Sequence, residues 1–392
     1  MTCQFFTPTL PVLKNAFEQS NELVNQLALP KIERAKLEDW PLFVTDTNTQ
    51  ADAGQLNQQE ENVIICDWET AQKQYAKLFE KFIFQAIPAN QDKISAYNLA
   101  NLSQAYFIYV PDNYQTDQVL EWVVSLDQRP HQYLLLVLGK NAQLTFFEKI
   151  QQEKVAKTSQ SYIVEVMLQE DARLHYVAID QSSTDQASYI KRHATAKDHA
   201  YIQWSIGSFN DGSTVVDIDT HLLGQGAEAY LSEIAISNND YQQILDSKLN
   251  NYGHHSIGHI NQHGVVLDSG TLTMNGIGKI HKQAKNADSQ QENRLLMLSD
   301  QARGDANPIL LIDEYEVTAG HAASVAKVDE SQLWYLMSRG LDRKKAEYLV
   351  IRGFLMKTLN NIKDIQTRKL IVQALDHKLA SILQDTQGEL HD

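Results

Sequence analysis

Between residues 141 and 260 one short pattern returns at a nearly constant step. Asn141-Ala142-Gln143-Leu144, Asp171-Ala172-Arg173-Leu174, His199-Ala200-Tyr201-Ile202 and Glu228-Ala229-Tyr230-Leu231 share the order polar, Ala, any residue, Leu or Ile. The alanines are 30, 28 and 29 residues apart, and Gly258-His259-Ile260 follows after 29 more. Gly278-Lys279-Ile280 closes the series after 20. Units of this length cannot each bury a face alone, so they stack coil on coil around a shared core. Alternating segments such as Leu174-His175-Tyr176-Val177-Ala178-Ile179 put one face inward and the other outward. A small residue at a fixed point suits a tight corner where strands stack closely. The periodicity predicts a β-solenoid, with a β-sandwich as the alternative it leaves open.

The flanks have other textures. Apolar residues at Val12, Leu13, Ala16, Phe17, Leu23, Val24 and Leu27 follow helical spacing as far as Pro30, and Glu69 to Phe84 reads as helix again. Residues 44–62 are polar and read as a loop. After the β-rich stretch, Asp329-Glu330-Ser331-Gln332 resembles a capping box and Gly340 a helix stop. Asp342 can cap a second helix, with Gly353 inside it, and a third helix runs from about Ile365 to Leu383. The tail Gln384–Asp392 is polar and expected to fray. The division expected is an N-terminal helical or mixed region (1–130), a β core (131–318) and a C-terminal helical domain (319–392).

Charge and composition narrow the function. With 34 Lys+Arg against 49 Asp+Glu the formal charge is −15. Such a balance disfavours non-specific nucleic-acid binding and anionic membrane surfaces, both of which need clustered cations. The best candidate for an apolar span, Tyr133 to Leu138, falls far short of crossing a membrane, and the first residues do not read as a basic-then-apolar leader. The two cysteines, Cys3 and Cys66, exclude a disulfide framework and a four-thiolate metal site within one chain. A cytoplasmic setting is expected from that usage.

Motifs for familiar chemistry are missing. There is no Gly-x-x-x-x-Gly-Lys-Ser/Thr loop, no Gly-x-Ser-x-Gly elbow and no His-Glu-x-x-His. Gly276-Ile277-Gly278 lacks a third glycine, so it makes no dinucleotide fingerprint. Asp313-Glu314-Tyr315-Glu316, followed by His321, groups carboxylates with an imidazole, and reads either as a metal site or as an acidic turn beside an unrelated histidine. His255, His259 and His263 would share a face on a strand, as ligands or as outward-facing residues of ordinary coils. Trp334, Tyr335 and Phe354 read as core or as a docking face.

A longer likeness runs through residues 130–356. Asn293-Arg294-Leu295-Leu296-Met297-Leu298-Ser299-Asp300-Gln301-Ala302, Asn307-Pro308-Ile309-Leu310-Leu311-Ile312-Asp313-Glu314, Gly320-His321-Ala322-Ala323-Ser324-Val325 and the stretch from Asp329 to Gly340 closely resemble the SufB/SufD family, scaffold components of the SUF iron–sulfur cluster assembly system. Leu29-Pro30-Lys31-Ile32-Glu33 and Trp40-Pro41-Leu42 resemble its N-terminal region. The chain is more similar to the SufD type, because SufB-type chains carry a late cysteine and here the last is Cys66. The resemblance implies a mainly β fold, a right-handed parallel β-helix flanked by helical regions, and a scaffold rather than an enzyme. It implies pairing with SufB through the β-helix. It also implies docking of the ATPase SufC on the C-terminal helices, with Leu333, Trp334, Tyr335, Arg339, Gly353 and Phe354 as contacts. No permanent cofactor is implied, only a transient iron or iron–sulfur cluster at the SufB–SufD interface, where His321 matches the family histidine and a SufB cysteine shares the ligation. The family often has Cys-Ser-His-Gly where this chain has Ala319-Gly320-His321-Ala322, so the neighbouring thiol is missing. Exposed strand edges also suit a homodimer of the isolated chain. A β-helix enzyme acting on polysaccharide and a purely structural partner are the competing readings.

Overall fold

A computed structural model describes residues 7–44, 62–126, 129–151, 157–359, 362 and 364–384. The expected loop at 44–62, but for its two end residues, and the expected frayed tail after Gln384 lie outside the described residues. The N-terminal region comprises α1 (Pro11–Leu23), a short 3-10 turn at Leu37–Asp39, β1 (Ile64–Asp67), α2 (Trp68–Gln74), α3 (Ala76–Phe82) and α4 (Lys93–Ala100). Helix α1 stops well before Pro30, because only Leu13, Ala16, Phe17 and Ser20 find a core to face.

The body follows as β2 (Gln104–Val110), β3 (Val119–Val124), β4 (His131–Leu138), β5 (Gln143–Gln151), β6 (Gln160–Leu168), β7 (Arg173–Gln181), β8 (Ser183–Ala196) and β9 (Tyr201–Ser208). It continues through β10 (Asp211–Leu222), β11 (Glu228–Ser237), β12 (Gln242–Asn251), β13 (Ile257–Val266), β14 (Thr271–Ile280), β15 (Asp288–Met297), β16 (Arg303–Ile312) and β17 (Thr318–Lys327). Helices α5 (Glu330–Ser338), α6 (Arg343–Leu359) and α7 (Ile365–Gln384) close the chain. Asp329 caps α5, Asp342 accepts from the Lys345 N–H at 2.8 Å, and Gly340 takes φ 92° between the helices.

Even-numbered strands from β2 to β16, with β1 antiparallel at one edge, form a nine-stranded sheet. Odd-numbered strands from β3 to β17 form an eight-stranded one, and every pairing from β2 onward is between parallel strands of successive coils. The body is therefore a two-sheet parallel β-helix, and the sandwich alternative falls. The coils extend past both ends of the expected 131–318 core. They begin with β2 and β3, and the segment from 319 onward, expected to open the helical domain, is still strand to Lys327. The short residues of Ala319-Gly320-His321-Ala322-Ala323-Ser324 carry little strand signature of their own; pairing with β15 makes them a strand.

The repeat has a physical cause, and its phase needs correcting. One corner of each coil holds a residue in the left-handed region: Asn141, Asp171, His199, Gly226, His255 and Asn286, with φ of 53°, 59°, 57°, 64°, 57° and 58°. Each donates its N–H to the next coil, as Asn141 does to the Glu170 carbonyl at 2.9 Å and His199 to that of Gln225 at 2.9 Å. Asn, Asp, Gly and His are the residues that tolerate this conformation best. The residue after each corner is small and buried: Ala142, Ala172, Ala200, Ala227, Ser256 and Ala287. The repeat therefore passes through Ala227 and Ser256, not Ala229 and Gly258, while Gly278 belongs to β14 in the other sheet. Two-residue slips preserve the inward–outward alternation, which is why the pattern tolerated them.

The inward row of the odd sheet reads Phe146, Tyr176, Trp204, Leu231, Ile260, Gln291 and His321 from coil to coil. Outside, α1–α3 pack on Tyr133, Leu135, Val137, Ile163 and Met167 of the even sheet. Glu165 accepts from the N–H groups of Phe84, Ala86 and Ile87 and from Tyr133 Oη. Burial still pushes its carboxyl up to about 7, against those hydrogen bonds. Residues 29–44 run as an extended strap across the even sheet, seated by Ile32, Leu37 and Leu42 on Tyr189, Val215 and Ile244. Helices α6 and α7 cover the outer face of the odd sheet through Ile351, Leu355, Leu375 and Leu379 on Val177, Ile234, Ile236 and Val265.

Candidate functional site

Strands β16 and β17 terminate the two sheets, so each has a single paired neighbour. Every residue of β17 is exposed except Gly320, which is half-exposed. On this last coil the inward row is Ala319, His321, Ala323 and Val325, in register with buried Ser289, Gln291, Asn293 and Leu295. On β16 it is Ala306, Pro308, Leu310 and Ile312. Among the described residues the core thus ends on an unsealed cross-section, mostly apolar, with one imidazole among its side chains. An open strand edge beside apolar surface is a pairing template.

The interior changes character as it nears this end. Large rings fill the early coils, whereas Glu233, Ser247, Gln262 and Asn293 form a buried chain. Glu233 Oε2 accepts from Ser247 Oγ at 2.9 Å and Gln262 Nε2 at 2.8 Å, and Gln262 Oε1 accepts from Asn293 Nδ2 at 2.9 Å. Gly276 makes room on the facing sheet: a Cβ there would stand 2.9 Å from Asn293 Oδ1. Burial pushes Glu233 up to about 7, against the bonds from Gln262 and Ser247. Sequence reading missed this chain; its signal is the polar pair Asn261-Gln262 on a strand facing Gly276-Ile277-Gly278.

The carboxylates near His321 in sequence do not gather around it. Glu314 accepts the N–H groups of Gln283 and Tyr315, and Glu316 faces Lys285 at 3.4 Å. No group of three or more His, Cys, Asp or Glu converges as a metal site among the described residues. Cys66 lies on β1, at the opposite end of the even sheet from β16. Burial, with Asp67 adding to it, pushes its thiol up to about 12, so it is a poor ligand and nucleophile. The histidine row breaks too: His255 is a corner residue, while His259 pairs with Asp288 at 2.9 Å and His263 with Glu292 at 3.2 Å.

A groove of about 570 Å³ runs over the outer face of the odd sheet past Tyr230, His259, Gln290 and Gly320. Glu292, the carboxylate lining it among the described residues, is engaged by His263 and Arg294. The groove therefore offers no free pair of acids for glycoside chemistry.

The C-terminal helices present a second surface. Trp334, Tyr335 and Leu349 are 67%, 60% and 45% exposed, and the Arg339 guanidinium lies 5.3 Å from the Tyr335 ring centre. Of the other expected contacts, Leu333 is fully buried, and Phe354 is half-buried and stacks on His263. Gly353 is exposed, and a Cβ there would meet nothing within 4 Å. Gly353→Ala should therefore stabilise the free chain by up to about 1 kcal/mol, read as a raised urea midpoint. An unchanged or lowered midpoint would show that the glycine serves the fold after all.

The fold defines the class: a parallel β-helix flanked by helices, with an open strand edge among the described residues and exposed aromatic side chains on its C-terminal helices. Known proteins resemble it in sequence. The description "SUF system FeS cluster assembly, SufBD core domain" matches residues 124–354, and "SufBD protein N-terminal region" matches residues 17–121. The iron–sulfur cluster assembly protein SufD of Bacillus subtilis is 35% identical over 87% of this chain and 80% of its own length. SufBD family proteins of Staphylococcus saprophyticus and Staphylococcus aureus are each 25% identical over 76% of this chain and 65% of theirs. The chain belongs to the SufB/SufD family of SUF iron–sulfur cluster assembly proteins. No helix among the described residues is long and apolar enough to cross a membrane.

Proposed function

We propose that the chain is the SufD-like half of a SUF scaffold, working in the cytoplasm. Its open β16–β17 end pairs with a SufB-type partner, and in isolation the same end pairs with a second copy. The ATPase SufC docks on the patch formed by Trp334, Tyr335, Arg339, Leu349 and Gly353. His321 supplies one nitrogen ligand to iron or a nascent cluster as cargo, and the partner supplies thiolate, which a cluster needs and which no described residue provides at this end. No permanently bound cofactor and no bond-making by this chain are required. ATP-driven closure of the docked ATPase shifts the pair between closed and open states, exposing His321. The observation that carries this reading is an imidazole on the inward row of a coil that no described residue covers.

The test is co-expression with the SufB-type and ATPase components, followed by affinity purification and iron analysis. His321→Ala should leave the three-component complex intact while bound iron and cluster maturation fall about tenfold or more, since lost ligand-sphere groups cost at least that. Full iron loading in His321→Ala would remove this residue from the mechanism, and failure of the components to co-purify would remove the partnership.

A further inference from the structure

Helix α6, which carries part of the docking patch, meets the last coils through one imidazole. His263, on the outer face of β13, has a side chain 0% exposed. Its ring stacks on Phe354 with centroids 5.0 Å apart and planes at 27°. Nδ1 lies 3.3 Å from the Phe354 carbonyl oxygen, and Nε2 lies 3.2 Å from Glu292 Oε1 on β15. Glu292 is in register with Ala322 on β17, the neighbour of His321. A contiguous path of packed groups thus runs from α6 through His263 and Glu292 to the terminal coil.

We propose that His263 is a positioning residue that couples the seating of α6 to the hold on β15 and β17, and so to the placement of His321. The proposal rests on the reading of α5 and α6 as the ATPase docking patch. Both atoms facing the ring nitrogens are acceptors, and a neutral imidazole has one N–H to offer. The imidazolium would satisfy both, but only as a buried charge.

The charged groups around the ring are Glu292 and Arg294 from β15 and Lys357 from α6, whose Nζ is 3.8 Å from Glu292 Oε1. Its own strand adds Asn261, bonded to Thr358 Oγ1 of α6 at 3.0 Å, and β11 adds apolar Ile234. Burial holds His263 below the ordinary histidine range, against the pull of Glu292 and the Phe354 carbonyl. When α6 lifts, the ring is hydrated and returns towards that range. The lifted state then binds more protons, so the seated state loses ground as pH falls below about 6.5 and regains it as pH rises.

The experiment is amide hydrogen exchange on the full chain, corrected for intrinsic rates, between about pH 7.5 and pH 5. Protection of α6, β15 and β17 should fall together by about fivefold or more across that range. His263→Gln keeps an amide donor towards Glu292 but does not titrate, and should lose more than about half of that change. Glu292→Gln keeps the imidazole but removes the carboxylate that favours its charge, and should move the midpoint to lower pH. A pH response confined to α6, one retained in His263→Gln, one absent from the wild type, or one whose midpoint Glu292→Gln leaves in place would overturn the proposal. Because the readout needs no partner, its failure is distinguishable from a failure of complex assembly.

Discussion

Arg192→Met should destabilise the chain by about 3–5 kcal/mol, read as a collapse of the urea midpoint. Arg192 stands on the inward row of the even sheet with its side chain 1% exposed, and its guanidinium pairs with Glu148, whose side chain is 0% exposed. Tyr176 Oη donates to the other Glu148 oxygen at 2.5 Å. Burial alone would disfavour the guanidinium's charge, and Glu148 more than offsets it. Removing the cation leaves a buried carboxylate with the Tyr176 and Tyr162 hydroxyls beside it and no cation, which costs far more than the pair contributes net. Replacing both residues, as Glu148→Leu with Arg192→Met, should therefore recover most of the loss. A single variant within about 1 kcal/mol of wild type, the usual range of an exposed pair, would refute the argument.

Gly253→Ala should be nearly as damaging, for a steric reason. A Cβ at Gly253 would stand 1.8 Å from the Gly224 carbonyl oxygen, and one at Gly224 would stand 2.0 Å from the Asp198 nitrogen. At this corner backbone stacks on backbone from coil to coil, so no side-chain rotation relieves the overlap. Overpacking costs about 1–3 kcal/mol where side chains can move aside, and the upper end or more applies here. An unchanged urea midpoint would mean that the coils are spaced more loosely than the backbone distances indicate. The contrast with Gly353, where the same substitution should stabilise, lies in what surrounds the glycine.

The stacked-coil body was legible because its cause is local. A left-handed corner accepts few residue types, and a small buried residue must follow it. The phase was not legible, since Glu228-Ala229 imitates the corner that Gly226-Ala227 makes. Caps at Asp329 and Asp342 were readable for the same local reason. The sequence did not show that Leu333 is buried or that Phe354 stacks on His263, because an apolar residue on a helix looks alike whether it faces its own core or a partner; for Phe354 the seating of α6 on β13 decides. The position of His321 followed from family likeness, whereas its inward-row placement on an uncovered coil depends on strand register, which spacing alone does not set. The polar interior of the last coils escaped notice because each residue looks like a surface residue until two sheets face each other.

The strap also bears on how the chain is made. Glu33 offers its carbonyl to Asn275 Nδ2 at 3.0 Å, a partner 242 residues further on. At about 5–20 residues per second, a ribosome needs roughly 12–50 s to deliver that partner after the strap has been synthesised. Until Tyr189, Val215 and Ile244 have followed, Ile32 and Leu37 lack part of the surface that later covers them, so a nascent chain is open to misassociation through the strap.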